Sequence, residues 1–309
     1  MGFDKRTLVL PPKTTFEEHT IVTSGDLILG NHVQCGFGLK TDGRVFAGQG
    51  ARIGGAVECV GDLRLDQSVH VLGDVSCGAN AYLGERCFVR GDLALDGDLD
   101  VGDDVRITGQ LQAKGWVNKR SPVPILIYIF IYMLELLRMG QSEEVERILK
   151  ELEEQEDADE IAVDEVFLFI PDGCEVELQK TVVKGGLEAG DECRILGNLE
   201  VHGAVELGVG TRVHGALRAE GDVTMYPDSE VEGHLVSEGH VIVGEGCQVL
   251  GDLKAKSVEM YTSATVDGNI MAEGGVRFRT EAQVRKERTA NGHLEAFEGK
   301  AADLVDLLG

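Results

Sequence analysis

Aromatic residues are scarce, at 5% of 309 residues with a single tryptophan, and proline occurs only six times. Positive charge is in deficit: 29 Lys and Arg stand against 54 Asp and Glu, a formal net charge of −25. That balance argues against non-specific nucleic-acid binding, which needs a basic footprint. The seven cysteines form no CxxC pair and show no metal-ligand spacing. No GxxxxGK(S/T) phosphate loop occurs. The opening MGFDKRTLVLPP lacks the apolar stretch of a secretory signal, so a cytoplasmic protein is expected. What is plentiful is glycine, 41 residues without a triplet period, and apolar residues at 43%, enough to bury a core.

The glycines stand on a lattice. Gly55, Gly73, Gly91 and Gly109 are 18 residues apart, as are Gly197, Gly215, Gly233 and Gly251. Each 18 divides into three sixes. Pairs at i and i+2, stepped by six from Ile21/Thr23 to Leu111/Ala113, are apolar except at Thr23 and Thr41. From Thr181/Val183 to Leu253/Ala255 the exceptions are Thr181, Thr211, Ser229 and Ser237. The frame then loses one residue near Ser257 and resumes at Val258/Met260.

Residues i and i+2 face the same side of a strand. Two inward residues followed by a four-residue corner make one side of a coil, and three sides make a triangular rung. The pattern therefore predicts an all-β solenoid, a triangular β-helix with 18-residue rungs stacked about 4.8 Å apart. Four regions follow: a first β-helical lobe over 1–115, an α-helical insert with an acidic linker over 116–165, a second lobe over 166–286, and a C-terminal tail with a short helix over 287–309.

The lattice makes most candidate chemistry structural. Six cysteines, Cys35, Cys59, Cys77, Cys87, Cys193 and Cys247, fall in inward slots as small core fillers. Only Cys174 lies outside the frame. No histidine takes an inward slot, and none clusters with others in the way a metal site requires. The Gly-Asp steps lack the calcium-solenoid pattern and read as turn chemistry. No catalytic residue, cofactor, metal or small-molecule substrate is expected.

Three sets of residues invite contacts. The solenoid ends, Ile21, Leu27 and Leu29 at one and Val276, Phe278 and Val284 at the other, would present strand edges and an open core, which invite self-assembly. The apolar run 125–137, with Ile125, Ile127, Tyr128, Phe130, Ile131 and Leu134, is short for a bilayer span of about 20 residues. It reads as a buried cap or subunit contact, as an interfacial membrane anchor, or as a strand. An outward strip, Arg52, His70, Phe88 and Arg106, with Arg194 and Arg212 in the matching slots of the second lobe, is either a solvated face or a dock for the acidic stretch 143–160.

Repeats such as VRGDLALDGDLDVGDDVRITGQL and VIVGEGCQVLGDLKA resemble those of the bactofilins. The resemblance covers residues 20–115 and 180–285. It implies a right-handed triangular β-helix and a polymer-forming cytoskeletal protein of bacteria or archaea, with roles such as cell shape. Such proteins assemble end to end without nucleotide, often on a membrane. Met1, Phe3, Lys5 and Arg6 loosely match the N-terminal membrane-targeting peptide of some members. A usual member has a single β-helical core, so the doubled lobes and the insert depart from the pattern. Two other classes remain open. One is a hexapeptide-repeat acyltransferase using acetyl-CoA, suggested by Leu83-Gly84 and Val101-Gly102. The other is a non-catalytic protein-binding scaffold.

Overall fold

A computed structural model describes residues 5–119, 131 and 166–279. These form an all-β solenoid of about 12 turns, built on three sheets of fourteen, twelve and twelve strands. Strands of two to five residues suffice because each makes only one side of a rung. Along the first half, Leu63, Arg64 and Leu65 pair with Ala81, Tyr82 and Leu83, and those with Leu99, Asp100 and Val101, each 18 residues on. The one-residue loss also appears in the pairing: His240 faces Ser257 and Gln248 faces Thr265, both 17 on. The expected helical insert lies outside the described residues, apart from Ile131, which is helical and exposed.

The inward pairs form one continuous core, including Leu27, Leu63, Leu93, Leu199, Val223 and Leu253. Truncating such a leucine to alanine costs about 2–5 kcal/mol. The polar exceptions in the frame are buried, and most bond to neighbouring rungs. Thr211 Oγ1 donates to Gly190 O at 2.6 Å, and Ser237 Oγ donates to Gly221 O at 2.8 Å. Cys174, expected outside the frame, is instead a core residue with no exposure.

Asp and Asn at the corners do more than turn the chain. The Asn80 N–H donates to Asp62 Oδ1 at 2.9 Å, the Asp98 N–H to Asn80 Oδ1 at 2.9 Å, and the Trp116 N–H to Asp98 Oδ1 at 2.7 Å. A parallel ladder runs from Asp74 through Asp92 to Gln110. Each side chain thus satisfies a backbone donor one rung along, where the corner interrupts the strand ladder. Another corner takes left-handed backbone at His32, Gly50, Ser68, Arg86 and Asp104, again every 18 residues.

The two lobes are one rod, joined through exchanged segments. The fourteen-stranded sheet starts at Val117–Lys119 and runs through the first half to Asp26–Leu29. Next come Phe167–Ile170 and then Leu8–Leu10, before Leu187–Ala189 opens the second half, which ends at Val276–Arg279. Phe167–Ile170 pairs in parallel with Asp26–Leu29, and Leu8–Leu10 pairs in parallel with Leu187–Ala189. The two inserted strands meet antiparallel, at Val9 and Phe169. The same exchange recurs in the other sheets. Thr15–Phe16 pairs antiparallel with Thr20–Thr23 and parallel with the second half at Arg194. Glu175–Val176 pairs antiparallel with Lys180–Val183 and parallel with Gln34–Cys35.

Strand direction therefore reverses at the joint, and the halves are related by an approximate twofold axis. Both tips are the C-terminal ends of a half. At about 4.8 Å per rung the rod is roughly 60 Å long.

Candidate assembly surfaces

Ile21, Leu27 and Leu29 do not form an open end. They are fully buried at the joint because Thr15–Phe16 and Phe167–Ile170 pair with the strands that carry them. The true first tip is the rung of Arg106–Ile107, Leu111–Ala113 and Val117–Lys119, the terminal strand of each sheet. The second tip is the rung of Thr265–Val266, Ile270–Ala272 and Val276–Arg279.

Inward slots at both tips are uncovered. Val117 stacks on the buried Leu99 yet is 53% exposed, and Phe278 stacks on the buried Met260 yet is 60% exposed. Leu111 and Val276 are exposed in the same way. Each would be a core residue if one more rung were stacked on it. A strand edge beside an open apolar core is a ready template for pairing with another chain. Of the residues expected at the second end, Val276 and Phe278 stand at this tip, and Val284 lies outside the described residues.

The outward strip forms in part. Arg52, His70, Phe88 and Arg106 are in register on one twelve-stranded sheet, with the His70 and Phe88 rings 5.8 Å apart. Arg194 and Arg212 pair on the other twelve-stranded sheet, and Arg212 Nε lies 3.5 Å from Glu230 Oε2. The twofold relation explains the split: equivalent slots of the halves fall on different sheets. The strip is two separate patches, one per half. Of the insert residues singled out, Ile125, Ile127, Tyr128, Phe130 and Leu134 lie outside the described residues, as does the acidic stretch 143–160.

Burial raises most of the thiols. Cys35 is pushed up to about 12 and Cys193 to about 11, in both cases by loss of hydration. Cys59 and Cys77 pair on neighbouring rungs, and the Cys59 thiol is held up by its hydrogen bond to Cys77 and by burial. Among the described residues no group of His, Cys, Asp and Glu is arranged to hold a metal ion. No described helix is long and apolar enough to cross a membrane.

Sequence reasoning missed two features. One is the exchange of residues 8–16 and 167–176. Its signal is a 160-residue offset that superposes Leu8 on Leu168, Pro11 on Pro171, Gly25 on Gly185 and Leu27 on Leu187. The other is an outward apolar patch at mid-rod, visible as unbroken apolar triplets such as Leu27-Ile28-Leu29 and Leu168-Phe169-Ile170.

Stacked 18-residue rungs with uncovered inward slots at both tips define an open-ended β-solenoid. A family model, Bactofilin, described as polymer-forming cytoskeletal, matches residues 205–299. The matched stretch begins in the second half, and the same rung lattice runs on both sides of the joint. No curated protein and no solved structure matches the chain.

Proposed function

We propose that this chain is a bactofilin-like, polymer-forming cytoskeletal protein that assembles with copies of itself through its two tips, rung on rung, into a filament that needs no nucleotide. The observation that carries the reading is the exposure of inward-slot residues at both tips, Leu111 and Val117 at one and Val276 and Phe278 at the other. Stacking removes that apolar surface from water, worth roughly 25 cal/mol per Å². It also extends all three sheets by backbone hydrogen bonding, with strands antiparallel across the contact because both tips finish a half, so no bound ligand is needed to complete the contact. Two tips per chain give two valences, the minimum for a linear polymer. Because both tips are C-terminal ends of a half, the repeating unit has nearly the same face at either end.

Electron microscopy and sedimentation velocity of the full chain, in nucleotide-free buffer over a range of concentrations, test this reading. Filaments that lengthen with concentration are expected. A species of single-rod size at every concentration would overturn it.

A further inference from the structure

Each strand of the fourteen-stranded sheet carries an outward residue between its two inward ones. Across the joint these are Phe46, Ile28, Phe169 and Val9, in consecutive register. None belongs to the interior core cluster. Away from the joint, outward residues of this sheet meet water: Tyr82 is 37% exposed, and Glu206 and Asn118 are exposed. At the joint they do not. Ile28 is 2% exposed, Phe169 3% and Val9 1%, and Phe46 and the neighbouring Phe167 are buried too. The Asp26 carboxylate beside Phe167 has no exposure and is paired with Arg44. Arg44 stacks over the Phe46 ring at 5.3 Å and covers part of it, but flat neighbours within one sheet do not seal Ile28, Phe169 and Val9 in this way. Something lies across the patch.

We propose that the apolar segment 125–137, ILIYIFIYMLELL, lies across this patch and straps the two halves at their joint. The path of the chain argues for it. The chain leaves the described rod at Lys119, on the last strand of this same sheet, and re-enters at Val166, beside Phe167. Those two strands are six positions apart in the sheet, roughly 30 Å at about 4.8 Å per strand. Residues 120–165 connect these two strands in sequence, and 125–137 is the long apolar run among them. The patch it would meet is bounded by Arg64 on one side and Glu188 on the other, so an apolar segment matches only the stretch between them. Ile131 is exposed, as a residue on the outer side of such a segment would be. The run that reads as a membrane anchor or an end cap is, on this proposal, an internal strap that leaves both tips open.

Photo-crosslinking identifies the occupant directly. Benzoylphenylalanine replaces Phe46 in the full chain, and the crosslinked peptides of the single-chain band are mapped by mass spectrometry. A crosslink to residues 125–137 of the same chain is expected, with its loss when Ile127, Phe130 and Leu134 are all changed to Ser. A control probe at Tyr82, two rungs away, should give less of it. Crosslinks from position 46 to residues 1–4, to 280–309, to a second copy, or to nothing would overturn the proposal. A Phe46→Cys variant guards against misfolding of the probe protein. Its thiol should resist labelling in the intact chain and react once the three serines are present; equal labelling in both would also sink the idea. Unchanged labelling of Phe46→Cys on adding anionic vesicles is expected, whereas vesicle-induced exposure would return the segment to the membrane.

Discussion

Val9 and Phe169 face each other across an antiparallel bridge in a sheet whose other pairings are parallel. Each is the other's counterpart under the offset that superposes the two halves, so the approximate twofold axis passes between them. The bridge fixes the polarity of the molecule: two solenoids joined by their starting rungs, with two finishing rungs turned outward.

Blocking one tip should change the assembly differently from blocking both. Phe278→Arg places a charge in an open inward slot and should stop growth at that tip, leaving short species joined through the other. Val117→Arg with Phe278→Arg should leave single rods. Sedimentation velocity separates these outcomes, and filaments of unchanged length from the double variant would refute tip stacking.

The joint is intolerant of added volume. Gly25 has φ +75, and a Cβ there would sit 2.0 Å from the Val166 carbonyl oxygen. Its counterpart Gly185 would place one 2.2 Å from the Arg6 carbonyl oxygen. Gly25→Ala and Gly185→Ala should each cost more than about 1 kcal/mol in denaturant unfolding. At Gly275 an added Cβ would meet nothing within 4 Å, so Gly275→Ala should show only the smaller cost of its positive φ.

The corner ladder should depend on an acceptor rather than on charge. Asp98→Ala strands the Trp116 N–H and should cost about 1 kcal/mol. Asp98→Asn should cost less, because Asn80 already fills the same place in the ladder for the Asp98 N–H. Thermal melts of the two variants check this; equal losses would show that charge matters instead.

Polar residues inside the prism should fall into two groups. Thr211→Val removes the partner of the Gly190 carbonyl and of the Cys193 N–H, and should cost about 1–3 kcal/mol. Thr181 Oγ1 is buried without a hydrogen-bond partner. Thr181→Val should therefore be neutral or stabilising by the same unfolding assay.

The thiols should make the fold sensitive to alkali. Cys35, Cys87 and Cys193 are raised by burial from 9.0 to about 12, about 11 and about 11. Between pH 9 and those values an unfolded chain releases protons that the folded chain keeps, so the unfolded state binds fewer and stability falls as pH rises. The stabilisation is whole below pH 9 and is lost through pH 11–12. Unfolding midpoints across that range should drop, and replacing Cys35 with Ala should flatten part of the slope. At pH 8, Cys35 and Cys193 should resist a thiol reagent until the protein is unfolded.

Much of the rod was legible because its core repeats at a fixed period. Leu63/Leu65 and Val223/Met225 announce the inward slots by spacing alone, and even the dropped residue near Ser257 shows in the frame. The joint was not legible in that way. Residues 8–16 and 167–176 carry no 18-residue echo of their own, since each is a partial rung of two strands laid against the opposite half. Ile21, Leu27 and Leu29 therefore looked like an end, although the chain supplies their cover from Phe167–Ile170. Cys174 looked isolated for the same reason. The basic strip was partly legible: register brought Arg52, His70 and Arg106 together, but the reversal of direction sent Arg194 and Arg212 to another side. The burial of Ile28 and Phe46 required knowing which face of the sheet they occupied.

The exchanged segments also set an order of events at the ribosome. The first half can wind as it emerges, but its opening edge at Asp26–Leu29 stays bare until Phe167–Ile170 has been synthesised. Leu8–Leu10, made almost at once, must wait for Leu187–Ala189 before it has a parallel neighbour. A nascent chain stopped short of Val176 therefore holds a sticky edge that the finished molecule hides, and translation past that point seals the middle of the rod while leaving its two tips free.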